Sequence, residues 1–196
     1  MRKTCGTFFC MKTRVLSPFW WMVAMVVSAA FLRFVPHPPN CTPIAAISLF
    51  SGAHFERKAW AFSIPLGAML LSDVLFELLF GWGLHPQMLI VYASFTAMVG
   101  LGTFLRTRRQ TIPVVTAAVS SSLLFFWTTN LGVWATSGLY AHTVSGLGAC
   151  YVAALPFLGT TLLGDLFYTA VLFRGYALLE QRFASGSPAP CGPRRT

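Results

Sequence analysis

The chain has 196 residues, of which 56% are hydrophobic and only 10% charged, with a formal net charge of +9. A soluble domain carries about 25% charged residues, so this composition excludes an ordinary soluble enzyme and fits one membrane-embedded helical bundle. The positive charge does not imply nucleic acid as a partner, because the basic residues sit at the ends of apolar runs, where the positive-inside rule wants them.

Residues 1–14 form a basic tail with Arg2, Lys3, Lys12 and Arg14. Met11 offers a second translation start, which would make residues 1–10 an upstream extension. The first apolar run, Val15–Val35, contains Ser28-Ala29-Ala30, which resembles a signal-peptidase site. The run continues through Phe31, Leu32 and Phe34, and Trp20 and Trp21 suit an interfacial belt, so an uncleaved helix is expected. Residues 36–43, PHPPNCTP, hold four prolines and predict an extended loop carrying Asn40. The run Ile44–Phe55 is short for a span and ends at Glu56-Arg57-Lys58.

Ala59–Phe80 is the third run, and GWGLHPQ, residues 81–87, predicts a turn. Met88–Leu105 is the fourth, followed by Arg106, Arg108 and Arg109. Ile112–Trp134 is the fifth; its Ser120-Ser121-Ser122 suits packing against a neighbouring helix. Residues 135–145 read as a loop. Gly146–Leu158 is interrupted by Pro156 and is expected as a half-helix or surface-lying piece before the last span, Gly159–Leu179. The basic tail 181–196 is expected to be disordered. The five cysteines form no CxxC pair and have no zinc spacing, so no cofactor is expected. The predicted fold is all-α: an integral membrane bundle of six transmembrane helices over residues 15–180, with a broken or half-helix before the last span.

With six spans and both termini cytoplasmic, Arg57, Lys58, Arg106, Arg108, Arg109, Arg182 and both tails fall on the inner side. Arg174 snorkels to the same side, and only Arg33 falls outside. A seven-span alternative, with Gly146–Leu158 as a full crossing, would send Arg174, Arg182, Arg194 and Arg195 outside, against the charge rule.

Three of the five acidic residues lie in two echoing stretches, Asp73 and Glu77 in LLSDVLFE and Asp165 in LLGDLFYT. A carboxylate inside a membrane helix costs roughly 2.5–3.5 kcal/mol on insertion scales, so it faces a cavity or a partner. Asp73 and Glu77 share one helix face. In the six-span arrangement Asp73 lies about 10 Å from the outer end of its helix, and Asp165 reaches a similar depth. One reading is an outward-facing polar cavity for a small-molecule substrate, floored by Asp73 and Asp165. Glu77, Asn40, Asn130, Trp134, Tyr140, His142 and Tyr168 are then available around it. The competing reading has the aspartates tying helices together through hydroxyl neighbours, with Trp134, Tyr140 and His142 as interface or loop residues. The echo Gly67-x-x-Leu70-Leu71-x-Asp73 against Gly159-x-x-Leu162-Leu163-x-Asp165, with Asn40 and His54 loosely matching Asn130 and His142, raises an internal repeat of the kind found in transporters. An enzyme is not expected. Leu162-Leu163-Gly164-Asp165 lacks the first glycine of the G-x-G-D of intramembrane aspartyl proteases, Ser72 rather than tyrosine precedes Asp73, and no nucleotide fingerprint is present.

The segments PNCTPIAAISLFSGAHF, LLSD, TNLGVWATSGLYAHT, ACYVAALPF and TLLGDLFYTA resemble an uncharacterised family of small bacterial integral membrane proteins, over about residues 32–173. That family is similar to the substrate-binding S components of energy-coupling-factor transporters. The resemblance implies a six-helix protein of the bacterial cytoplasmic membrane, with both ends cytoplasmic. It also implies an outer substrate site under PHPPNCTP, GWGLHPQ and ATSGLYAHTVS, and a separate membrane subunit with ATPases that supplies energy. Two features depart from the pattern. Ala24-x-x-x-Ser28 is a poor small-residue docking face, and no histidine precedes His37, which argues against cobalt or nickel as substrate.

Overall fold

The computed structural model describes residues 18–34, 41–81 and 87–185. Among these, every regular element is helical: α1 (Pro18–Phe31) with a 3-10 turn (Leu32–Phe34), α2 (Ile44–His54), α3 (Lys58–Phe80), α4 (Met88–Phe104), α5 (Thr111–Thr136) and α6 (Val144–Ser185). Helices α3, α5 and α6 are long and apolar enough to cross a bilayer, whereas α1, α2 and α4 are apolar but shorter. The burial pattern is inverted relative to a soluble protein. On α3, Leu70, Leu71 and Leu78 are exposed while Ser72 and Asp73 are buried. On α6, Leu163, Phe167 and Val171 face outward while Asp165 and Thr169 face inward. Helices that turn leucine out and aspartate in are built for a hydrocarbon surround, and the chain is a membrane protein.

Helix α2 is the hub. All of its residues from Ile44 to His54 are buried, and it packs against each of the other five helices. Its small residues, Ala45, Ala46, Ser48, Ser51, Gly52 and Ala53, let neighbouring backbones approach. The approach is tightest at α4. A Cβ on Gly52 would lie 2.9 Å from Gly102 Cα, and a Cβ on Gly102 would lie 3.0 Å from Leu49 Cα, so both positions need glycine for space. On its other side, Ile47 and Phe50 join Val26, Ala29 and Ala30 of α1 and Leu172 and Tyr176 of α6 in one apolar core. Ser28-Ala29-Ala30 thus belongs to a packed helix.

A buried helix end must find partners for its last carbonyls. At the C-terminus of α2 the α4–α5 connection supplies them. Arg106 donates from Nε to Gly52 O (3.0 Å), from Nη2 to Phe55 O (2.7 Å) and from Nη1 to Glu56 O (3.2 Å). Arg109 Nη2 donates to Ala53 O at 3.0 Å. These cations also oppose the negative end of the helix dipole.

The expected half-helix before the last span is not present. Helix α6 runs unbroken for 42 residues, about 63 Å at 1.5 Å per residue, with Pro156 inside it. Proline removes one donor, but the flanking amides have no alternative acceptors in apolar surroundings, so the helix continues. Its first turns are also held to α5: Tyr151 Oη donates to Trp127 O at 2.9 Å, and Cys150 Sγ to Asn130 O at 3.4 Å. Gln181–Ser185, assigned by composition to a disordered tail, belongs to α6 as well. The N-terminal tail and residues 186–196 lie outside the described residues.

Candidate functional site

A cavity of about 260 Å³ lies at the N-terminal end of α2. Asp73 and Asp165, from α3 and α6, both line it. Arg33, Thr42, Tyr92 and Thr161 add polar groups, and Met69, Met88, Phe95 and Phe125 supply apolar wall. Ile44 and Ala45 bring the first turn of α2 to the same wall. Pro43 precedes that turn without a side-chain cap, so the positive end of the dipole of α2 lies beside the two acids.

The two aspartates are treated differently. Asp73 Oδ1 accepts from Arg33 Nη1 at 2.6 Å, and Oδ2 accepts from Tyr92 Oη at 2.7 Å. Arg33 Nη1 also stands 2.5 Å from Ser72 Oγ, and the guanidinium lies 5.4 Å from the centre of the Phe76 ring. The Arg33 and Asp73 side chains are only 19% and 8% exposed, so this ion pair is desolvated and its charges cancel. Asp165 is equally buried, but the one hydrogen bond it receives among the described residues comes from Ser122 Oγ, at 2.6 Å to Oδ2. Ala118 O also lies within reach of that hydroxyl at 3.1 Å, and serine has one proton to give. Gly164 explains how Asp165 comes to the cavity wall. A Cβ there would lie 2.9 Å from Cys41 Sγ, so the glycine admits the chain leading into α2 against α6.

Among the described residues, the other expected site residues do not gather at this cavity. Glu77 sits half-buried one turn beyond Asp73, its carbonyl bonded by the amide of Gly81, which has φ +71°. Asn130 Nδ2 donates back to Phe126 O at 2.8 Å within α5. Trp134 Nε1 donates to Ala141 O at 3.0 Å, and its ring meets that of His142 edge-on at 5.4 Å, so this pair organises the α5–α6 connection. Tyr140 is half-buried in that connection. Tyr168 packs against the apolar core around α1 and α2. Asn40 lies outside the described residues. The looser parts of the internal echo also separate. His54 is buried at the C-terminal end of α2, stacked on Phe50 at 4.2 Å, whereas His142 is exposed in a loop.

Arg33, Tyr92 and Ser122 were not among the expected site residues. A signal for Arg33 did exist: in the expected six-span arrangement it is the one cation left outside, and Asp73 is expected in the outer half of the same side. Tyr92 carried no such signal, because one tyrosine in a leucine-rich run is ordinary at a membrane interface. Among the described residues, no three His, Cys, Asp or Glu side chains gather as a metal site would require.

Fold and cavity together define an all-α membrane protein with a charged, partly apolar chamber at the N-terminus of a buried central helix. The chain belongs to the family of unknown function DUF6580, whose model matches residues 14–189. No curated protein and no solved structure is detectably similar to it. Membership agrees with the expected placement in an uncharacterised family.

Proposed function

We propose that the protein is a membrane transport component that binds a small cationic molecule in the cavity beside Asp165. The observation that carries this reading is that two acids from separate helices share a cavity whose one arginine is already committed. Arg33 offsets Asp73, so the lining keeps a second carboxyl, Asp165, whose one hydrogen-bond partner among the described residues is a neutral hydroxyl. An amine or other monocation would supply the partner that one neutral hydroxyl does not. The methionines and the stacked Phe95 and Phe125 rings, 5.6 Å apart, would cover an apolar body.

The proposal includes a six-span, S-component-like arrangement in the cytoplasmic membrane, with both termini cytoplasmic and energy supplied by a separate membrane subunit with ATPases. The arginines gathered at the C-terminal end of α2 support that orientation by the positive-inside rule. Helix α2, about 17 Å long, is too short to cross alone. Cys41, seated on Gly164 of α6, extends the crossing as non-helical chain against protein rather than lipid. No catalytic step belongs to this reading, since Asp73 is tied to Arg33 and Tyr92 rather than poised beside Asp165 as an acid–base partner.

The second reading is a structural or accessory membrane protein, favoured by the Arg33–Asp73–Tyr92 network, which ties the end of α1 to α3 and α4. Thermal-shift measurements on the purified chain with a panel of small organic cations separate the two. Transport predicts a stabilising cation whose effect is lost in Asp165→Asn and kept in Glu77→Gln. An identical response in Asp165→Asn would sink the site assignment, and no response to any cation would favour the structural reading.

A further inference from the structure

A second cavity, of about 310 Å³, lies at the opposite end of the bundle, between the start of α5 and the second half of α6. It shares none of its lining with the Asp165 cavity. Its walls are apolar along Val115, Leu166 and Phe173, and Arg109 and Arg174 line it as cations. Arg174 is exposed and makes no hydrogen bond or ion pair among the described residues. Arg109 spends one nitrogen on Ala53 O and keeps further donors. Thr111, the first residue of α5, also lines the cavity, so the uncapped N-terminus of a 26-residue helix is at hand. Glu180 is the one carboxylate in the lining, against two arginines. Deeper in, Thr169 is 2% exposed and lines the same cavity, and its Oγ1 has no hydrogen-bond partner among the described residues.

Phosphate chemistry at one end, an unanswered hydroxyl below it and a hydrocarbon wall beyond match one kind of molecule. We propose that this cavity holds an anionic phospholipid. Its phosphate rests on Arg109, Arg174 and the start of α5, a glycerol ester carbonyl meets Thr169, and an acyl chain lies along Val115, Leu166 and Phe173. A free phosphate would use the cations but leave the apolar wall and Thr169 unanswered. Basic pockets between membrane helices on the cytoplasmic side are suited to anionic headgroups, and each arginine near such a surface contributes roughly fivefold in affinity.

The test is native mass spectrometry of the full chain in detergent with equimolar phosphatidylglycerol and phosphatidylcholine, with glycerol 3-phosphate as soluble competitor. Phosphatidylglycerol should be retained preferentially, and excess glycerol 3-phosphate should not displace it. Arg174→Gln should weaken retention about fivefold, while Arg182→Gln, on the same helix but outside the cavity, should not. Thr169→Val, nearly isosteric, should weaken it as well and serves if Arg174→Gln does not fold. Equal retention of the two lipids, or equal loss in Arg174→Gln and Arg182→Gln, would overturn the site. Displacement by glycerol 3-phosphate would overturn the lipid in favour of a soluble anion.

Discussion

At the C-terminal end of α2, two arginines give their donors to backbone carbonyls; at its N-terminal end, an arginine and an aspartate neutralise each other and leave a second aspartate with one hydroxyl. Both ends are buried, and both hold charge where hydrocarbon would penalise it. At the C-terminal end the charges complete a helix, so their removal should cost stability. At the N-terminal end Asp165 has fewer partners than a buried carboxyl can accept. A buried carboxyl with unused acceptors on a cavity wall is the feature on which the proposed cation site rests.

Four substitutions, with three more as controls or second-site partners, would break or sharpen that contrast. The largest effect is expected at the axis joining the two ends. Gly102→Val drives a side chain into the backbone of Leu49, costs about 3 kcal/mol or more, and should abolish monodisperse folded protein in size-exclusion chromatography. Gly67→Ala, with open space around its Cβ, should be neutral or stabilising. Next is Arg33→Met, which strands a buried carboxylate and should cost about 3 kcal/mol in detergent unfolding. Adding Asp73→Leu should recover much of that loss, and equal stability of the single and double variants would mean the pair does not hold the fold. Arg106→Ala removes three donors from the end of α2 and should cost about 2 kcal/mol, whereas Arg108→Ala should leave the thermal midpoint unchanged. The smallest effect belongs to Asp165→Asn. The amide oxygen still accepts from Ser122, and a buried ionisable group is removed, so stability should stay within about 1 kcal/mol or rise. A loss as large as that of Arg33→Met would place Asp165 among the structural charges and erase the difference between the ends.

How far the candidate site was legible follows the same division. Asp73 and Asp165 stood out because an acid in an apolar run is costly wherever the chain folds. The expected six-span arrangement put them at similar depth, and both line the same cavity. Trp134, Tyr140, His142 and Asn130 were plausible by residue type and position along the chain, but the turn after α5 directs Trp134 onto Ala141 and His142 instead. Tyr168 follows Asp165 by three residues and still faces the apolar core.

The sequence by itself determined the membrane class, five of the six helices to within a few residues at each end, and the positions of the costly charges. These depend on local quantities: run length, proline and glycine breaks, and the transfer cost of single side chains. Only the tertiary structure decided that the shortest helix is the hub, that Arg106 and Arg109 are its caps, that Arg33 belongs to Asp73, and that α6 passes through Pro156 unbroken. Each of those depends on which groups meet across the bundle. A buried carbonyl or carboxylate requires a partner, and the chain order does not say which distant side chain supplies it.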